Sequence, residues 1–119
     1  MSKVTLKIGL VGVCGSGKTT LTNRLKSYHF NVRQIAQEHS YVPDMWQRLA
    51  KPDVLIFLKV SYPVTKQRKS FNWSEKEYQE QIHRLRHANE YADLHIDTND
   101  LTPEEVRDIV LAYLKQLGT

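Results

Sequence analysis

Gly12, Gly15 and Gly17, followed at once by Lys18 and Thr19, are the residues whose types and spacing could do chemistry in this chain. They fall in Gly12-Val13-Cys14-Gly15-Ser16-Gly17-Lys18-Thr19, which fits G-x-x-x-x-G-K-[ST], a spacing suited to a polyphosphate. A triphosphate needs many donors and little steric bulk around it. The three glycines let the backbone wrap close and aim its N–H groups inward. Lys18 supplies a point cation for the terminal phosphates, and Thr19 offers a hydroxyl to Mg²⁺, which takes oxygen ligands. Gly12, Val13, Cys14, Gly15, Ser16, Gly17, Lys18, Thr19 and Thr20 are therefore the expected phosphate-binding residues. Cys14 stands at a variable position of the loop, where a small residue contributes its backbone; a thiol at a helix N-terminus can also be acidified.

The flanks supply the elements that must hold such a loop. Val4 to Val11 is rich in β-branched and apolar residues and predicts a buried strand. Thr20 to Tyr28 places Leu21, Leu25 and Tyr28 at helical spacing, and a helix starting near Gly17 adds its positive dipole end to the loop. Phe30 to Ala36 predicts a second strand, with Gln37-Glu38-His39-Ser40 at its C-terminal end. Val42 to Ala50 predicts a short helix with Pro43 in its first turn, ended by Pro52. Asp53 to Val60 is a near-continuous apolar run, the pattern of a parallel strand covered on both faces. A helix follows Pro63, Phe71 to Trp73 forms a loop, and Ser74-Glu75-Lys76-Glu77 is a capping box for a helix carrying Tyr78, Ile82 and Leu85. Ala92 to Asp97 predicts the last strand. Thr102-Pro103-Glu104-Glu105 caps a final helix lined by Val106, Val110 and Leu114 and closed by Gly118.

Strands alternating with helices imply a parallel sheet with right-handed crossovers, whose ligands lie at the C-terminal strand ends. That rule sorts the polar residues. Glu38, His39, Ser61, Tyr62, Asp97, Thr98 and Asn99 follow strands and belong on the loop's side. Asp53 begins one and belongs on the opposite side.

With 119 residues there is room for one core, hence a single domain over 1–119. One cysteine rules out an internal disulfide framework and suits a reducing, cytoplasmic home. No apolar run approaches membrane-spanning length, and the N-terminus does not read as a signal peptide, so no membrane partner is expected. A net charge of +4 suits anionic ligands but is modest for a dedicated nucleic-acid binder.

Three segments, Gly12 to Thr19, Pro52 to Pro63 and Ala92 to Val106, together resemble the small P-loop kinases of the nucleoside and nucleoside-monophosphate kinase group. The second is similar to the strand that leads into their lid-bearing helix, the third to their last strand and final helix. The resemblance implies a three-layer α/β/α P-loop NTPase fold with a short, mainly parallel sheet of about four strands. It implies ATP with Mg²⁺ as ligands and a small-molecule phosphate acceptor. The chain departs from that group in having four recognisable strands, a short segment from Asn31 to Pro52, a compact lid between Arg68 and Arg86, and no Asp-Arg pair after the second strand. The guanine-specifying Asn-Lys-x-Asp motif is absent as well, which argues against a GTP switch.

Phosphoryl transfer is mostly positioning and charge stabilisation. The expected catalytic residues are Lys18, Glu38 as the acid that assists Mg²⁺ or the acceptor, and the lid-region cations Arg68 and Arg84. Thr19 and Glu38 are the expected metal ligands. Asp44 and His39 are weaker alternatives to Glu38, and Lys69 and Arg86 to the two arginines; each also reads as an ordinary solvated residue. Trp46, Tyr62, Phe71 and Trp73 could stack on a base, with core packing the competing role. The loop Asp97 to Asp100 sits where kinases of this group touch adenine. Besides a phosphotransferase, the sequence allows a non-catalytic nucleotide-binding or slow NTPase module, favoured by the short acceptor region. It also allows a nucleic-acid binder using the basic helices, disfavoured by the lack of a concentrated basic stripe. A short sheet edge raises homodimerisation.

Overall fold

Four strands, β1 (Lys7–Gly12), β2 (Asn31–Gln34), β3 (Val54–Lys59) and β4 (Leu94–Asp97), pair in parallel in the order β2-β1-β3-β4. The computed structural model describes residues 6–68 and 73–118. The helices are α1 (Lys18–Lys26), α2 (Tyr62–Arg68), α3 (Glu75–Arg84), α4 (Arg86–Tyr91) and α5 (Pro103–Gln116). The expected strand start at Val4 and Thr5, together with Lys69, Phe71 and Asn72 of the lid region, lies outside the described residues.

The two-residue period of the strands builds both covered faces. Ile8 and Leu10 of β1, Ile56 and Leu58 of β3, and Ile96 of β4 share one cluster with Leu21 and Leu25 of α1 and Val106, Val110 and Leu114 of α5. The alternate residues, Val11 of β1 with Leu55 and Phe57 of β3, join Trp46, Trp73, Leu85 and Ala88 on the other side. Trp46 and Trp73 are thus core residues. Ile56 is fully buried at the centre of the sheet. Ile56→Ala is expected to cost about 2–5 kcal/mol, read as a lower urea midpoint at unchanged slope. Packing is close at Gly9: a Cβ there would meet Ile35 Cδ1 at 2.8 Å and Pro52 Cβ at 3.0 Å, and Ile35 would have to shift.

The chain passes from β1 to β2 on one side of β1 and then to β3 on its other side. The carboxyl end of β1 is therefore a topological switch point, where a crevice opens above an α/β sheet. Asp53 stands at the other end: its Oδ2 accepts the Lys7 N–H at 2.8 Å, tying strand starts together. Asp93 does similar work beside β4, accepting the Leu55 N–H at 2.8 Å, which is why the strand proper begins at Leu94 rather than Ala92.

Two elements differ from expectation. The stretch Val42 to Ala50 is not an α-helix but turns followed by a π-helical turn, Trp46–Ala50. Trp46 is its one buried residue while Leu49 stays exposed, so no apolar stripe docks a longer helix. Lys51, at φ 45°, ends the turn before Pro52. The helix after Ser74 divides at Leu85, whose φ and ψ of −93° and 0° leave the helical region while its side chain stays buried. Both capping boxes form as expected: Ser74 Oγ accepts from Glu77 N–H and Thr102 Oγ1 from Glu105 N–H, each at 3.1 Å. Among the described residues, no helix is long and apolar enough to cross a membrane.

Candidate functional site

β1 delivers its last residue, Gly12, directly under the loop. A Cβ on Gly12 would lie 2.7 Å from the Leu58 carbonyl oxygen of β3 and 2.6 Å from Ser16 Oγ, so only glycine lets the loop turn this close to the sheet. Gly15, at φ 87°, faces Thr65 of α2, whose Cβ would stand 3.2 Å from an added side chain. α1 then begins at Lys18 with its N-terminus at the loop.

Lys18 is folded back into this turn. It is buried, and its Nζ donates to Gly12 O at 2.5 Å and to Glu38 Oε2 at 2.6 Å. Glu38 comes from a 3₁₀ turn, Gln37–His39, just beyond the C-terminal end of β2, and is 4% exposed. The other carboxylate oxygen, Oε1, is buried without a hydrogen-bond partner, as is Ser16 Oγ. Gln37 holds the turn in place: its Oε1 accepts Trp46 N–H at 2.9 Å, and its Nε2 donates to Val42 O at 2.9 Å and Arg84 O at 3.2 Å.

Arg68, the last residue of α2, reaches across the loop. Its Nη1 donates to Gly15 O at 3.1 Å and Thr98 Oγ1 at 2.9 Å, and its Nη2 donates to Thr98 O. Thr98, just after β4, is itself buried and lies against Ser16 O. Thr19 Oγ1 donates to Gln34 Oε1 at 3.1 Å, at the end of β2. Together these side chains border a cavity of about 550 Å³ whose wall includes every loop residue from Val13 to Thr20, with Gln34, Glu38, Arg68, Thr98, Leu101 and Pro103. Gly12 lies beneath this wall, giving its carbonyl to Lys18.

The other expected residues fall elsewhere. Arg84 does not border the cavity. It stacks over the Tyr41 ring at 4.5 Å, donates to Glu38 O at 3.3 Å and faces Glu80. It borders a second cleft of about 490 Å³ with Ser40, Tyr41, Lys76, His83 and Arg86. The reason is α3: Gln81 anchors that helix to the loop, which points Arg84, three residues on, toward the 3₁₀ turn instead. Asp44 is paired with Arg48 at 3.0 Å, a hydrogen bond that holds its carboxyl below the ordinary 3.8, and it does not border the cavity. Arg86 donates to His83 O on the surface. Tyr62 stacks within a ring cluster with Trp73 and Tyr78, where burial raises the Tyr78 phenol above its ordinary 10.0. Of the loop Asp97 to Asp100, Thr98 alone borders the cavity, while Asn99 Oδ1 accepts Ser61 N–H at 2.8 Å.

One loop amide already has a side-chain partner. Cys14 N–H donates to Gln81 Oε1 at 2.9 Å, because that amide, buried on α3, needs a donor. Gln81 and Gln34 also touch the loop, and the sequence motif marks neither. Gln34 follows from the strand-end rule, since it is the last residue of β2. Gln81 lies 67 residues from Cys14, and no local pattern marks it.

A family model described as AAA domain matches residues 8–117. This chain belongs to the AAA-domain family. Among solved structures, this AAA-family chain is similar to a shikimate kinase from Aquifex aeolicus vf5, at a TM-score of 0.65 and 13% identity, covering 95% of this chain and 98% of that one. The likeness establishes the four-stranded parallel, P-loop kinase-like fold. No curated protein matches the chain in sequence.

Proposed function

We propose that this chain binds ATP in the loop cavity and transfers its γ-phosphate to a small-molecule acceptor. The observation that carries the reading is the meeting of the glycine loop, Lys18, Thr19, Glu38 and Arg68 around one cavity of about 550 Å³. A triphosphate fits the donors. Ser16 Oγ and Glu38 Oε1 are buried polar atoms still without partners, and a side chain at Gly15 would crowd the cradle against Thr65. Leu101 and Pro103 give the cavity an apolar end suited to a base.

Lys18 changes partner on binding: its ammonium leaves Glu38 and Gly12 O for the phosphate oxygens, a charge-assisted exchange. Mg²⁺, when bound, would offset phosphate charge, and the Thr19 hydroxyl and the Glu38 carboxylate, both on the cavity wall, would be its oxygen donors. Arg68 ties the loop to Thr98 and keeps a guanidinium beside the phosphates, where charge develops during transfer. Glu38 takes the acceptor's hydroxyl proton, the acceptor oxygen bonds to the γ-phosphorus, and the bond to the β–γ bridging oxygen breaks, leaving ADP. The second cleft supports an anionic acceptor. Lys76, His83, Arg84 and Arg86 border it against a single acid, Glu80, and Arg84 links it to Glu38.

ATP consumption measured against a panel of nucleosides, nucleotides and other anionic hydroxyl compounds is expected to rise sharply with the right acceptor. Tight ATP binding with no turnover on any of them would favour the non-catalytic module instead. With the right acceptor, Arg68→Ala is expected to lower kcat by roughly 100-fold while Arg86→Ala, on the surface, changes little.

A further inference from the structure

Beside Glu38 stand two further donor side chains, the Cys14 thiol and the His39 imidazole, that the phosphotransfer reading gives no role. Cys14 Sγ lies 3.8 Å from His39 Nε2, and His39 Nε2 lies 3.7 Å from Glu38 Oε2. One donor atom from each of the three residues falls within 4.8 Å of the others. Thiolate, imidazole and carboxylate are the donor types that zinc takes. With Zn–S near 2.3 Å and Zn–N and Zn–O near 2.0 Å, a tetrahedral centre holds S and N about 3.5 Å apart and N and O about 3.3 Å apart. The observed separations exceed these by a few tenths of an ångström, which rotation of the exposed His39 ring closes.

We propose that Cys14, Glu38 and His39 form a zinc-class metal site, with water as its fourth ligand. Glu38 Oε2, the oxygen nearest His39, also accepts from Lys18, and Oε1 is buried with no partner, so a bound ion shares this carboxylate with Lys18. Sulfur among the donors selects a softer ion than Mg²⁺ or Ca²⁺. Gln81 Nε2 donates to Cys14 Sγ at 3.3 Å, fixing the position of the sulfur, as indirect partners of metal sites do. His39 is 59% exposed, so an ion reaches the site from solvent without opening the core. The site does not depend on phosphotransfer, because its probe is the metal alone.

The test uses the tag-free full chain without nucleotide. Cobalt(II) titration is expected to saturate at one ion per chain with a sulfur-to-cobalt charge-transfer band. Competition against a chromophoric chelator then gives the zinc affinity. Cys14→Ser is expected to abolish the band. Cys14→Ser and His39→Asn are each expected to weaken zinc by at least about 100-fold, beyond the range that indirect partners cost. Circular dichroism checks that both variants fold, and the wild-type band reports the thiolate even if one does not. Wild-type chain that binds no zinc, a cobalt complex lacking the sulfur band, or unchanged affinity in folded His39→Asn would each overturn the site.

Discussion

Lys18→Met is expected to lower the unfolding free energy by about 3–5 kcal/mol. The physical reason is what it leaves behind. Lys18 and Glu38 face each other at 2.6 Å with side chains 9% and 5% exposed, so removing the ammonium strands a carboxylate with neither water nor a counter-charge. Two charges removed together leave no such orphan, and replacing a buried pair with neutral groups is often close to thermodynamically neutral. The double variant Lys18→Met/Glu38→Gln should therefore recover most of the loss. Urea unfolding of the wild type, both single variants and the double variant measures this as a cycle. Equal stability of Lys18→Met and wild type would mean that Glu38 is solvated and that the loop lysine is free.

Gly12→Ala is the second large effect, and it acts through backbone. The added methyl would sit 2.7 Å from the Leu58 carbonyl oxygen, which belongs to the neighbouring strand and cannot retreat without breaking the β1–β3 ladder. Overpacking and the strained φ of 159° together are expected to cost roughly 3 kcal/mol. Gly17→Ala is the control. Gly17 is also at positive φ, 100°, but a Cβ there meets nothing within 4 Å, leaving only the left-handed penalty of about 1 kcal/mol. A larger loss at Gly17 than at Gly12 would contradict the close approach of loop to sheet.

What the sequence reveals and what it hides divide by range. The glycine loop, its strand and its helix are contiguous, so local pattern fixes them, and the continuous apolar run Val54 to Leu58 announces a strand buried on both faces. Glu38 was legible through a topological rule, since a residue just past a parallel strand lies on the loop's side of the sheet. Arg84 was not, because its direction depends on how α3 docks, and that is set by Gln81 meeting Cys14 from far along the chain. The stretch Val42 to Ala50 misled for a related reason: its apolar residues suggest a helix, but Trp46 alone finds the core. Gln37, fully buried and bonded to backbone on two other segments, carries no marker in sequence at all.

Everything proposed for phosphotransfer requires that the loop above β1 hold a nucleoside triphosphate. Calorimetric titration of ATP and of GTP, each with and without Mg²⁺, into the wild type and the folded Lys18→Met/Glu38→Gln variant tests it most directly. Saturable, Mg²⁺-dependent binding of ATP at one site is expected, weakened by roughly 100-fold in the variant. Folded wild-type chain that takes up neither nucleotide would contradict it.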